Sequence, residues 1–171
     1  GTVVTSYYRV ISEQSALLTF DTYNLLFHFF SEPRGSSDVD GYASDYEFVF
    51  MEVSEDRIVL KGKKYGNKMV MTKLTESAGS YMQKVLDMQE KMAAVPRMKM
   101  VVGGKEYTVS MVGKLLSYTD MKEDSSLENI DMAYIYTPDG INLYEPLTVN
   151  GITFQRLVYD DATGKIYFDG Q

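Results

Sequence analysis

The sequence predicts an α+β protein that is mainly antiparallel sheet, with two related three-stranded meanders and two helices packed against them. Three observations carry this. Runs rich in Val, Ile, Thr, Tyr and Phe are separated by short turn signals along most of the chain. Only two stretches switch to helical spacing. The segments 45–74 and 128–157 align without a gap, at the single offset that takes Ile58 to Ile141. An incomplete barrel of calycin type is one way to close such a set.

The elements follow in order. Thr2 to Ile11 is rich in Val, Ile, Thr and Tyr, and Leu17 to Phe20 continues that chemistry after a polar break, so both are expected strands. From Asp21 the period changes: Tyr23, Leu26, Phe27 and Phe30 recur at i, i+3, i+4 and i+7, with Thr19 or Asp21 available as N-cap. Pro33 and Gly35 stop this helix, and Ser31 to Ser44 reads as a polar surface loop. Tyr46, Phe48 and Phe50 then alternate, Ser54 to Arg57 turns into Ile58-Val59-Leu60, and Lys64 to Asn67 turns into Met69 to Leu74. Two successive short turns join only neighbouring antiparallel strands. Thr75 or Ser77 caps a second helix, with Met82, Val85, Leu86 and Met92 on one side and Pro96 as terminator. Gly103-Gly104 turns Met98 to Val102 into Tyr107 to Val112, Lys114 to Thr119 is a further strand, and Asp120 to Asp131 is an acidic loop.

The repeat matches Ile58 and Leu60 to Ile141 and Leu143, Asp56 to Asp139, Asn67 to Asn150 and Leu74 to Leu157. The chain is therefore read as one domain, 1–171, with an internal pseudo-repeat. Each copy has one apolar face, and the two faces with their helices are expected to bury one another.

With 44% hydrophobic and 24% charged residues the chain has the makings of a globular core rather than a disordered tail. The lack of cysteine excludes thiol nucleophiles, redox pairs and cysteine-based metal centres. Seventeen Lys and Arg against 24 Asp and Glu give a net charge of −7, which disfavours nucleic acid and anionic membrane surfaces. No run approaches the roughly 20 apolar residues of a membrane helix. The chain opens at Gly1 with no leader-like segment, so any targeting peptide is expected upstream, and Gly1 reads as a tag-cleavage scar at a domain edge.

Candidate chemistry is sparse, and no cofactor is expected. His28 is the only histidine, so any Ser-His-Asp triad must use it and a multi-histidine metal site is impossible; it reads as a residue of the helix's polar face. Asp38, Asp40 and Asp45, with Gly41 and Glu47, offer calcium-type oxygen ligands, but the spacing is not that of an EF-hand, and the competing reading is a solvated acidic loop. Tyr134, Tyr136 and Tyr144 are candidates for an exposed aromatic trio, on the expectation that Ala133, Ile135, Ile141 and Leu143 take the opposite face; the competing reading has them half-buried at the sheet margin. Lys61 and Lys63, close to Lys64 and Lys68, read first as a solvated strand face and more sharply as an anionic-glycan or phosphate patch. The glycine-containing turns lack a phosphate-binding spacing. A glycoside hydrolase needs two placed carboxylates, and with 24 acidic residues none stands out.

Several stretches carry a likeness. Leu18-Thr-Phe-Asp-Thr-Tyr-Asn24, Asp45-Tyr-Glu-Phe-Val49, Ile58-Val-Leu-Lys-Gly-Lys-Lys64 with Gly66-Asn-Lys68, and Tyr136-Thr-Pro-Asp-Gly140 with Tyr144-Glu-Pro146 and Val149-Asn-Gly151 resemble the Bacteroidetes family 4302 of domains of unknown function. That family is found in secreted lipoproteins of gut bacteria, and its members carry an upstream lipoprotein signal, an N-terminal helix and further strands. The resemblance implies a location outside the cytoplasm, periplasmic or at the cell surface of the outer membrane, with membrane contact only through an upstream lipid anchor. It carries no functional residues. The expected function is a non-catalytic binding or scaffold module with a glycan or protein partner and no nucleic acid; the alternative is a glycan-acting hydrolase using an Asp/Glu pair.

Overall fold

A computed structural model describes residues 4–95, 97–121 and 124–168. Thr2 and Val3 of the first expected strand, the expected terminator Pro96, and Lys122 and Glu123 of the expected acidic loop lie outside the described residues. The chain groups into two compact units that divide after Thr75, so one copy of the pseudo-repeat falls in each.

The first unit is an open antiparallel sheet of five strands in chain order: β1 (Arg9–Ser12), β2 (Ala16–Thr19), β3 (Glu47–Val53), β4 (Arg57–Gly62) and β5 (Lys68–Thr72). Helix α1 (Leu25–Ser31) lies in the connection between β2 and β3, which pair directly. The first strand is shorter than its β-rich composition suggests, because only Arg9 to Ser12 finds a partner, in β2. The cap of α1 is neither Thr19 nor Asp21 but Asn24, whose side-chain oxygen accepts from the backbone N–H of Leu26 at 3.0 Å and of Phe27 at 3.1 Å. The expected apolar stripe also fails to bury. Phe27 alone packs inward, stacked on Phe20 at 4.1 Å and edge-on to Phe48, whereas Tyr23, Leu26 and Phe30 stay exposed. Leu18, Phe48 and Leu60 form the core of this unit.

The second unit is a closed seven-stranded barrel: β6 (Arg97–Val102), β7 (Lys105–Val112), β8 (Leu115–Met121), β9 (Leu127–Thr137), β10 (Gly140–Val149), β11 (Ile152–Asp160) and β12 (Lys165–Phe168). Six hairpin connections run antiparallel, and the ring closes where β12 pairs in parallel with β6. Tight turns make this possible: Gly103-Gly104 and Asn150-Gly151 occupy positive φ at both central positions, matching the right-handed twist of the flanking strands. Much of the stretch expected as a loop after Asp120 is strand, since β8 runs to Met121 and β9 begins at Leu127, with Met121 paired to Leu127. Helix α2 (Ala78–Ala93) is capped by Ser77 and packs on β9. Its buried side chains are Met88 and Met92, with Tyr81 and Val85 half-buried on the same stripe; Met82 and Leu86 face outward.

The two meanders begin alike. Val53 pairs with Ile58 as Tyr136 pairs with Ile141, the same register at the repeat offset. They then diverge: Ile58 faces Met71, while Ile141 faces Leu157 rather than the equivalent Phe154. Each apolar face contributes to a core cluster within its own unit. Leu60 belongs to the cluster with Leu18 and Phe48, and Ile141 and Leu143 to the barrel cluster with Met100, Tyr134 and Leu157.

Candidate functional site

The site is built in the first unit, where α1, the loop that follows it and the β4–β5 turn meet. Its anchor is Asp45, 3% exposed, which sits just before β3. One carboxylate oxygen accepts from the backbone N–H of Lys64 at 2.7 Å and of Tyr65 at 3.0 Å, and the other from the Asn67 side chain at 3.1 Å. Asn67 also donates to the Ala43 carbonyl at 2.7 Å, tying the turn to the loop. Gly62 is required beside it, since a Cβ there would run into the Asp45 carboxylate. A buried carboxylate with three donors is a structural tie.

Around this tie lies a cavity of about 520 Å³, and His28, Ser31, Glu32, Tyr46, Glu47 and Lys63 are among its lining residues. The imidazole of His28 stacks on Tyr46 with 4.9 Å between centroids and 21° between planes, and Tyr23 packs on it at 5.0 Å. Lys63 reaches Glu13 at 3.0 Å and Glu47 at 3.2 Å. Glu13 and then Glu47 hold its ammonium protonated to higher pH than usual. Lys64 bonds Tyr65 and Asp40, and the Tyr65 hydroxyl, aided by Lys64, holds Asp40 below the ordinary carboxylate range.

The candidate residues therefore separate. Asp38 pairs with Arg34 at 2.6 Å, Asp40 with Lys64 and Tyr65, and Asp45 with its three donors, so the three carboxylates do not converge as a calcium set. No group of three or more acidic or histidine side chains among the described residues is placed to hold a metal. Lys63 lines the cavity, but Lys61 does not; it is exposed on β4, opposite Lys68.

The tyrosine trio is corrected. Tyr134 pairs directly with Leu143 and Tyr136 with Ile141. Directly paired residues of antiparallel strands share a face, so both tyrosines point into the barrel with the apolar residues they were expected to oppose. Tyr134 is 1% exposed, and its hydroxyl lies 3.2 Å from that of half-buried Tyr136. Burial first, then the Tyr136 hydroxyl, pushes the Tyr134 phenol upward. Tyr144 alone is exposed, at 68%, in the stretch where the β10 register shifts.

Glu32, Ser31, Ser44 and Tyr46 are site residues that sequence patterns did not single out. A cap residue and a loop edge carry no periodic signal, and only the fold brings them to His28. Two other concavities exist: a polar one of about 380 Å³ on the outer barrel wall, including Arg97, Ser110, Ser117 and Asp131, and an apolar one of about 450 Å³ against α1, including Leu25, Leu26 and Phe29.

Fold and site together define an antiparallel-dominated β protein, an open sheet carrying a polar pocket and a closed barrel with one helix. The chain belongs to the family described as Domain of unknown function (DUF4302), whose model matches residues 1–161. No curated protein and no solved structure matches it.

Proposed function

We propose that the chain is a non-catalytic binding module of an extracytoplasmic Bacteroidetes lipoprotein, with the cavity beside His28 as its ligand site and a glycan or protein as its partner. The observation that carries the reading is how the carboxylates around the cavity are held. Glycosidic cleavage needs an acid kept protonated by a desolvated setting. Here Asp45 takes three N–H donors, Glu47 is bonded by Lys63, and Asp40 is displaced toward the ionised form. Such a set presents fixed hydrogen-bonding groups. The lipoprotein setting rests on the family resemblance, and the net charge of −7 agrees with membrane contact through a lipid anchor rather than through the protein surface. No helix among the described residues is long and apolar enough to cross a membrane.

The alternative, a hydrolase with an Asp/Glu pair, has Glu32 and Glu47 on the same cavity in its favour. Thermal-shift screening against neutral oligosaccharides, sulfated oligosaccharides and short peptides tests both. Binding that raises the melting temperature of the native chain, and is lost in Tyr46→Ala, supports the module. Stabilisation that survives Tyr46→Ala moves the site elsewhere, and product release from an oligosaccharide that Glu32→Gln abolishes replaces the module with the enzyme.

A further inference from the structure

The pocket's groups divide into those already engaged and those still able to meet a ligand. Both lysines are engaged, Lys63 by Glu13 and Glu47, Lys64 by Asp40 and the Tyr65 hydroxyl. Asp45 takes three N–H donors. What is left is the outer edge of His28, the Glu32 carboxylate, and the hydroxyls of Ser44 and Tyr46, all lining one cavity.

His28 turns its Nδ1 toward the start of its own helix. Nδ1 lies 3.1 Å from the Asn24 carbonyl, which also accepts the helical bond from the His28 backbone N–H at 2.9 Å. Nδ1 lies equally 3.1 Å from the Asn24 backbone N–H, which donates to it in the tautomer protonated at Nε2. A neutral imidazole that accepts at Nδ1 carries its proton at Nε2. With Tyr46 and Tyr23 packed on the ring, the edge bearing Nε2–H is the part that can reach a ligand. Glu32 follows four residues later at the end of α1, so a donor and a charged acceptor stand on one side of the helix.

We infer that this pocket recognises an uncharged polyhydroxylated ring, a saccharide, through the Nε2–H of His28 and the carboxylate of Glu32. A hydroxyl accepts from an N–H and donates to a carboxylate at once; an anion cannot do the second and an ammonium cannot do the first. An anionic ligand would also have to displace Glu13, Glu47 and Asp40 from the two lysines. The inference rests on the pocket being a ligand site and adds the class of ligand.

One histidine in the chain makes the test clean. Long-range proton–nitrogen spectra of the native protein should show the Nε2–H form, and the other tautomer overturns the donor assignment. On an array of neutral, sulfated and uronic-acid glycans, neutral members should be retained. Isothermal titration with a retained glycan should show affinity falling about tenfold or more in His28→Phe, which keeps the ring stack, and in Glu32→Gln, which keeps the shape. Retention of charged glycans alone, weakened by either variant, overturns the ligand class and leaves the pocket standing as a site. Retention of no glycan, or of neutral glycans equally by both variants, overturns the inference outright.

Discussion

Asp45 shows how a residue that looks like a ligand becomes a structural tie. Removing its carboxylate strands the N–H groups of Lys64 and Tyr65 and the Asn67 amide in a half-buried turn. Asp45→Ala should therefore cost about 2–4 kcal/mol in urea unfolding, and Gly62→Ala should fall in the same range by forcing that carboxylate aside. Because Asp38, Asp40 and Asp45 each serve a different partner, millimolar calcium should leave the melting temperature unchanged. Calorimetric heat on calcium addition would contradict that assignment. In the barrel, Tyr118 is buried with its hydroxyl unpartnered among the described residues. Burial raises its phenol from the ordinary 10.0 to about 12, with Asp120 adding to the effect. A group whose folded value is raised contributes stability below the unfolded value and loses it as pH climbs toward the folded one. Stability should thus decline between pH 10 and about 12, and Tyr118→Phe should flatten that decline while costing little at pH 7, where it only removes an unsatisfied hydroxyl. An unchanged alkaline profile in the variant would place the ionising group elsewhere.

At the level of single elements, the sequence was most readable where turn chemistry and period agreed. Gly103-Gly104 and the β3–β4–β5 meander lie where residue types alone put them, and the α2 cap is Ser77, one of the two residues offered for it. It was least readable where several apolar residues competed for one helix face. In α1 seven residues cannot bury a whole stripe, and the sheet accepts only Phe27. In α2 the inward stripe is Tyr81, Val85, Met88 and Met92; of the expected Met82, Val85, Leu86 and Met92 face, Val85 and Met92 lie on it, and Met82 and Leu86, one position on from Tyr81 and Val85, stay exposed. Truncating the two kinds of position separates them. Met92→Ala leaves a hole in the barrel core and should cost about 2–4 kcal/mol, whereas Leu86→Ala should stay within about 0.5–1 kcal/mol. Equal losses in chemical denaturation would mean that α2 is rotated from this orientation. The tyrosine trio failed for a related reason: face assignment depends on which residues stand opposite, and a one-residue change of register inverts it.

Across the whole molecule, the property that local patterns could not show is closure. An incomplete barrel is as far as local patterns lead, but the ring is completed by β12, a four-residue strand that follows the Asp160–Gly164 turn and pairs in parallel with β6 at Lys165 to Tyr167. Contact between residues so far apart in sequence leaves no periodic trace in either segment. Closure has a measurable consequence, because a closed barrel has no edge strand while the five-stranded sheet has two, β1 and β5. Edge amides without a ladder partner open by local fraying, whereas those inside a closed ring need wider disruption to exchange. In native-state hydrogen exchange, outward amides of β1 and β5 should therefore lose protection first, and those of β7, β8 and β11 last. The parallel seam is the discriminating place: β12 is joined to β6 over only three paired positions, so its amides should be intermediate, slower than β1 yet faster than β8. Exchange of β12 as fast as β1 would mean that the ring is open at this seam in solution, and that β6 and β12 are edges after all.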